Sequence, residues 1–332
     1  MNAEPDQPMS INEIDEGFET LLFKEMDESP DAFPQKKPLL AHYMPISKFE
    51  SLLSNQQIWL SNPLNMNDWQ EVRFGINEGA HAFRLSEVVR KSCQTDERYL
   101  ALRNAFEDNY DKFCFTDASQ IYAFCASEHE PPEDNDGLLS MWRAYGDDAN
   151  GVAVIFDTSV INGDKSSPFV IKKIFYGTDK ERLALIHETL KKFAQHLELA
   201  SIPTEKLYIA ANNLFLWIKI FAVFSKQYGF REEKEWRIAY FGERDTENKA
   251  GGFMSYFLGV PGIESKLKYP IAELKNSAGE SHSLNSITRK IILGPTHFNP
   301  LALDAVKKML NEKSHAELIP KLVSSTIPYR SR

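Results

Sequence analysis

Apolar runs in this chain come in two lengths, and the short ones constrain the fold most. LLAHYM (39–44), IWLS (58–61), IYAFCASEHE (121–130), GVAVIFD (151–157), EKEWRIAYFG (233–242) and SITRKIILG (286–294) are brief and rich in β-branched and aromatic residues, so they read as strands. FVIKKIFYG (169–177) alternates apolar and polar residues as a half-exposed strand does. The longer segments 76–92, 96–113, 179–200, 204–226 and 299–312 read as helices, and the fourth is apolar nearly all round, as a buried helix is. Strands separated by helical segments of unequal length, without a regular βαβ alternation, point to an α+β fold. Its central sheet is expected to be mixed or antiparallel and flanked by helices, with a long helical pair inserted at residues 178–225.

Charge divides the chain. Of the net −9, residues 1–37 carry −7, from ten Asp or Glu against three Lys. The remainder is nearly neutral, so bulk charge neither recruits nor excludes nucleic acid. Residues 11–26 place Ile11, Ile14, Phe18, Leu21 and Leu22 at helical spacing. We read 1–37 as an acidic arm and linker, its helix lying on its own domain or docking a partner or second copy, and 38–332 as one domain. The longest apolar stretch, LFLWIKIFAVF, is interrupted by Lys219 and too short to span a bilayer. The acidic N-terminus does not resemble a secretion signal. Three cysteines, Cys93, Cys114 and Cys125, form no C-x-x-C pair and suit reduced thiols. A cytoplasmic protein without membrane contact is expected.

The stretch from Leu39 to Glu71 gathers the most chemistry. Strand, short helix, strand and polar turn bring His42, Tyr43, Ser61, Asn67, Asp68 and Glu71 towards one edge of a sheet. Each has a structural reading too. His42 suits a hydrogen-bonded core histidine, and Asn67 and Asp68 suit a turn, because Asn and Asp side chains bond their own backbone there. Trp142 and Tyr145, three apart on a helical turn, suit either a core or a stacking platform. Glu235 and Arg237 share a strand face and suit either an ion pair or a ligand clamp. The Glu128–Glu130 cluster, with Asp134 and Asp136 nearby, has a spacing that fits no usual metal-ligand set, and no metal site is assigned.

Phosphate loops, nucleophile elbows and zinc-protease motifs are absent from the sequence. Its polar and aromatic segments instead resemble the bacterial family catalogued as domain of unknown function 2971. They are an HY segment at His42, a strand ending in S-x-P-x-x-x-N-D-x-x-E from Ser61 to Glu71, W-x-x-Y-x-x-x-x-x-G-V from Trp142 to Val152, and E-x-E-W-R from Glu233 to Arg237. The resemblance spans roughly residues 38–295. A weaker similarity, to the ADP-ribosyltransferase arrangement, implies a mechanism: a histidine holding a ribose hydroxyl of NAD, an aromatic face on the nicotinamide, and a glutamate beside the bond that breaks. It implies His42 as the first element and Glu235 as the last. Ser61 stands where the family has a tyrosine, and Trp142 or Tyr145 is left to stack.

The expectation is therefore a bacterial effector, in a toxin or anti-phage role, that uses NAD as substrate for ADP-ribosyl transfer or hydrolysis. Catalysis is assigned to Glu235, His42 and Ser61, and binding of a nucleotide-type small molecule to Tyr43, Asn67, Asp68, Glu71, Trp142, Tyr145 and Arg237. Two other readings stand beside it. One is a metal-dependent nuclease using Asp68, Glu71, Glu128 and Glu235. The other is a non-catalytic sensor or interaction protein.

Overall fold

In a computed structural model, the structure describes residues 9–66, 69–132, 134–161, 167–259, 262–276, 278–295 and 300–329. In chain order, α1 (Ile11–Asp27), β1 (Leu39–Met44), α2 (Ile46–Asn55) and β2 (Gln57–Ser61) come first. Helices α3 (Trp69–Arg84), α4 (Glu87–Ser92) and α5 (Asp96–Phe115) follow, then β3 (Ile121–His129), α6 (Leu139–Ala144), β4 (Val152–Asp157), β5 (Phe169–Lys173) and β6 (Phe175–Gly177). The rest is α7 (Asp179–Leu199), α8 (Leu207–Val223), β7 (Ser225–Gln227), β8 (Glu235–Phe241), β9 (Met254–Gly259), β10 (Gly262–Pro270), α9 (Leu284–Ile287), β11 (Thr288–Leu293), α10 (Pro300–Glu312) and β12 (Leu322–Ser324). The fold is α+β, as the pattern of short and long apolar runs indicates.

The chain divides into two compact units, each assembled from three segments. One comprises Met1–Ala32, Pro63–Gln120 and Phe175–Gly229, the other Phe33–Asn62, Ile121–Ile174 and Phe230–Arg332. This differs from an N-terminal arm preceding a single domain: α1 belongs to the first unit. FVIKKIFYG, which reads as one strand, is cut between Ile174 and Phe175 into β5 of one unit and β6 of the other.

The first unit is helical and is built on α8. That helix buries residues on every side, including Leu214, Phe215, Ile218 and Ala222. Thr204–Val223 is long and apolar enough to cross a bilayer, and most of it is buried. Helix α1 is closed by a capping box between Ser10 and Glu13 and buries Ile14, Phe18 and Leu22. Phe18 lies 5.1 Å from Phe193 of α7, and Asp15 accepts a hydrogen bond from Nδ2 of Asn213 on α8. Helix α5 adds a ring stack, Phe106 on Phe83 at 3.9 Å. Gly75 of α3 lets that helix meet α8 at backbone distance, because a Cβ there would lie 2.6 Å from the Cα of Ala222.

The second unit is a ten-stranded sheet, ordered β12-β11-β4-β1-β3-β2-β10-β9, with β8 on β3 and β5 on β8. Its pairs are antiparallel except β11 with β12. One edge of β3 is occupied along its length by β8, from Ile121 opposite Phe241 to Ser127 opposite Glu235. The other edge is shared in succession: Leu39–Ala41 of β1 pair with His129–Ser127, whereas Ser61 of β2 pairs with Ala123. The sheet therefore forks along β3. Its two faces have separate apolar clusters, one around Leu40, Met44, Phe124, Val154 and Trp236, the other around Ala41, Tyr43, Trp142, Ala153 and Ile155.

Candidate functional site

Side chains of residues directly opposite in an antiparallel ladder lie on the same face, and successive residues alternate. Applied to the observed registers, this rule sorts the candidates. Ser127 stands between Ala41 and Glu235, and Cys125 stands opposite Arg237. Ser61 pairs with Ala123, two residues further along β3. Ser61, Glu235 and Arg237 thus share one face with Ala41 and Tyr43, and α6, which carries Trp142, packs on the same face. His42 projects from the opposite one, with Leu40 and Met44.

His42 sits at the fork. Its ring lies 4.4 Å from that of Phe124, and Nδ1 is 2.9 Å from the carbonyl oxygen of Cys125. We assign Nδ1 the proton, since a carbonyl only accepts. That bond satisfies a β3 carbonyl at the point where the ladder passes from β1 to β2. Burial pushes the imidazole pKa down to about 4, the Cys125 carbonyl opposing only in part, so the ring is neutral at pH 7. Joint action of His42 and Glu235 on one ligand, which the ADP-ribosyltransferase resemblance implies, is not what the register produces: the two side chains leave the sheet on opposite faces. The physical reason is parity, because His42 is one residue beyond Ala41, whose partner Ser127 lies opposite Glu235.

On the other face, Glu235 and Arg237 form a two-pronged pair, with Nε to Oε1 at 2.6 Å and Nη2 to Oε2 at 3.3 Å. Glu235 is 4% exposed and Arg237 1%. Upstream, Lys234 holds a left-handed φ of 45°, a conformation costly for a residue with a Cβ. Its ammonium reaches Glu130 at 3.1 Å and Asp134 at 3.2 Å. Glu233 precedes it, accepting the Tyr145 hydroxyl at 3.1 Å through a side-chain oxygen and the Ser127 hydroxyl at 2.6 Å through its carbonyl. Residues 147–149 add three consecutive left-handed positions after Tyr145. Strain thus concentrates on both sides of the Tyr145–Glu233 contact.

The aromatic candidates separate. Trp142 is fully buried, donates Nε1–H to the Asp136 carbonyl at 2.9 Å and meets Tyr43 edge-on at 4.8 Å. Tyr43 accepts the Leu138 amide at 2.8 Å, and burial raises its phenol pKa. Gly137 makes room for both, since a Cβ there would lie 2.7 Å from Trp142 Nε1. Tyr145 is 42% exposed, the most exposed of the three.

Asn67 and Asp68 fall outside the described residues. Glu71 belongs to the helical unit, on the first turn of α3 rather than in a polar turn, and binds Arg182 of α7, which also holds Asp179 at 2.8 Å. Of the nuclease set, Glu128 and Glu235 separate. Glu128 leaves β3 on the face opposite Glu235, where Lys36 at 2.5 Å, Lys173 at 2.6 Å and the Trp236 indole N–H at 3.2 Å surround it. Burial raises the Glu128 carboxyl pKa, and those three donors more than offset it, leaving it below its usual value. Among the described residues no group of three or more His, Cys, Asp or Glu is placed to hold a metal ion.

Sequence reasoning missed Glu233 and Ser127 as members of this site, and it missed a second group on β2, β9 and β10. Trp59, Lys266 and Lys268 lie on the Ser61 face, and Lys266 donates to the Ser61 hydroxyl at 2.7 Å. The signal was present in GIESKLKYP, whose strict alternation puts Glu264, Lys266 and Lys268 on one side of a strand.

Trp142, Tyr145, Glu233, Glu235 and Arg237 also fall together in the comparison with known proteins. Residues 141–238 match the family described as "Protein of unknown function (DUF2971)". The match covers the two central motifs, W-x-x-Y and E-x-E-W-R, and is narrower than the span over which the sequence resembles that family. No curated protein and no solved structure matches the chain.

Proposed function

We propose that the sheet unit binds an NAD-type dinucleotide on the face carrying Ser61, Tyr145, Glu235 and Arg237, and cleaves its nicotinamide–ribose bond for ADP-ribosyl transfer or hydrolysis. The observation that carries this reading is the shared face: of the candidates on the sheet and α6, His42 alone departs from it. Counting about 3.4 Å per residue and 4.8 Å per strand along β3, the Cα of Ser61 lies roughly 12 Å from that of Arg237 and roughly 17 Å from that of Glu235. Such a spacing suits an extended ligand rather than one hydrogen-bonded group.

In this reading Tyr145 stacks on a ring of the ligand, and the Arg237 guanidinium exchanges part of its hold on Glu235 for the pyrophosphate, to which its fork is equally suited. The nicotinamide leaves with the electron pair of the C–N bond, and the ribose becomes oxocarbenium-like. The Glu235 carboxylate opposes that charge, which exists only in the transition state, and such a group contributes about a hundredfold to a thousandfold. Water or an acceptor nucleophile then bonds to the anomeric carbon and loses its proton. His42 has no part in these steps.

The test is nicotinamide release measured by chromatography, alongside thermal unfolding with NAD and ADP-ribose. A ligand at a hundred times its Kd stabilises by about 2.7 kcal/mol, a rise of several degrees. Glu235→Gln is expected to retain the rise and lose release. The proposal fails if neither compound shifts unfolding at millimolar concentration and no nicotinamide appears.

A further inference from the structure

We propose that the β2–β10–β9 ribbon is a binding surface for single-stranded nucleic acid, with bases stacking at Trp59 and Phe257 and phosphates held by Lys48, Lys266 and Lys268. The ribbon lies at the end of the sheet, with β9 as its last strand. Trp59 pairs with Lys268, Ser61 with Lys266, Lys266 with Ser255 and Glu264 with Phe257, so these side chains occupy one face. The two rings are 5.7 Å apart and tilted by 58°. Lys48, from the exposed side of α2, places its ammonium 3.7 Å from the Phe257 centroid and 5.5 Å from that of Trp59, and Lys268 lies 4.5 Å from Trp59.

Lysine ammonium groups repel one another, and in this group three of them are set against the single carboxylate of Glu264, which pairs with Lys266 at 2.7 Å. Burial depresses the Lys48 pKa first, and Lys266 and Lys268 depress it further against the opposing pull of Glu264. A phosphate backbone relieves that repulsion. Lysines gathered around aromatic rings on a strand face are the two elements that sequence-tolerant single-strand binding uses, electrostatic tracking and base stacking. The whole chain is acidic at −9, so this binding depends on local charge and should be steeply salt-sensitive.

The inference does not need the dinucleotide reading: the two share only the contact of Lys266 with Ser61, and Lys48, Trp59, Phe257 and Lys268 take no part in it. Fluorescence anisotropy of labelled single-stranded DNA and RNA oligonucleotides, with the full chain at several salt concentrations, tests it. Binding is expected, with affinity falling as salt rises. The double variant Lys48→Glu, Lys268→Glu, both side chains being at or near the surface, should weaken it at least tenfold and flatten the salt slope by about 1.4. Trp59→Leu should weaken binding while leaving the slope unchanged. Three results overturn the inference: no binding at low salt, binding unaffected in a folded double variant, or ADP competing as well as an oligonucleotide of the same phosphate concentration. The last would make the ribbon a site for free nucleotides.

Discussion

Arg237→Met is the perturbation that most directly tests how the Glu235 pair is held. Both residues are within a few per cent of complete burial, and the guanidinium contacts both carboxylate oxygens. Removing one member of a buried pair strands the other charge, which costs about 3–5 kcal/mol. The sheet unit has on the order of 190 residues, and at about 2 cal/mol/K per residue its unfolding entropy is about 0.4 kcal/mol/K. The expected fall in Tm is therefore about 8–12 °C. The double variant Glu235→Met, Arg237→Met removes both charges and fills similar volume, and such replacements are neutral or stabilising by about 1–4 kcal/mol. Calorimetry of the two single variants and the double variant gives the coupling directly. If the double is as unstable as Arg237→Met, or if Arg237→Met costs under about 1 kcal/mol, the pair is not a desolvated one. A double variant that is stable but inactive would mean that the pair is kept for its chemistry, since packing alone is served as well by methionine.

Three more outcomes follow from the geometry. His42 has a folded pKa of about 4 against about 6.5 unfolded, so the unfolded state takes up the proton first. Its contribution is complete above pH 6.5 and is lost as pH falls towards 4, by about 2–3 kcal/mol over the window; His42→Gln should flatten that acid limb in urea unfolding at stepped pH. Gly75→Ala should destabilise by about 1–3 kcal/mol despite alanine's better helix propensity, because the methyl meets the Ala222 backbone. Gly79→Ala should cost less, since its Cβ meets only the Ile218 side chain, which can turn aside. Tyr145→Phe removes the hydroxyl that Glu233 accepts at 3.1 Å on an exposed site, so it should lower stability by under about 1 kcal/mol while raising the Kd for NAD in calorimetry.

Much of the molecule was legible in the sequence wherever the signal is local. Short apolar runs, LLAHYM (39–44) and GVAVIFD (151–157), point to strands that form at Leu39–Met44 and Val152–Asp157, and three-and-four spacing points to α5 and α7. Glu235 and Arg237 were placed on a common face by alternation alone, and the ladder agrees. The hairpin of β9 and β10 gives little apolar signal in the sequence, because its strands carry lysines, serines and glycines in place of a continuous apolar face. NPLNMND ends in turn-forming residues and so suggests a turn leading into Glu71, whereas α3 begins at Trp69 and carries Glu71 on its first turn.

Alternation along a strand tells which of its own residues look the same way, and nothing about the strand beside it. The sequence by itself therefore determined that His42 opposes Tyr43, and that Glu235 opposes Trp236. Whether His42 and Glu235 face each other depended on the offset between β1 and β3 and between β3 and β8, segments separated by about a hundred residues. That offset is set by which apolar residues fill the two cores, a property of the assembled sheet. Tertiary pairing alone sent His42 to close the fork against Cys125, and left Ser61, Tyr145, Glu235 and Arg237 together on the other side.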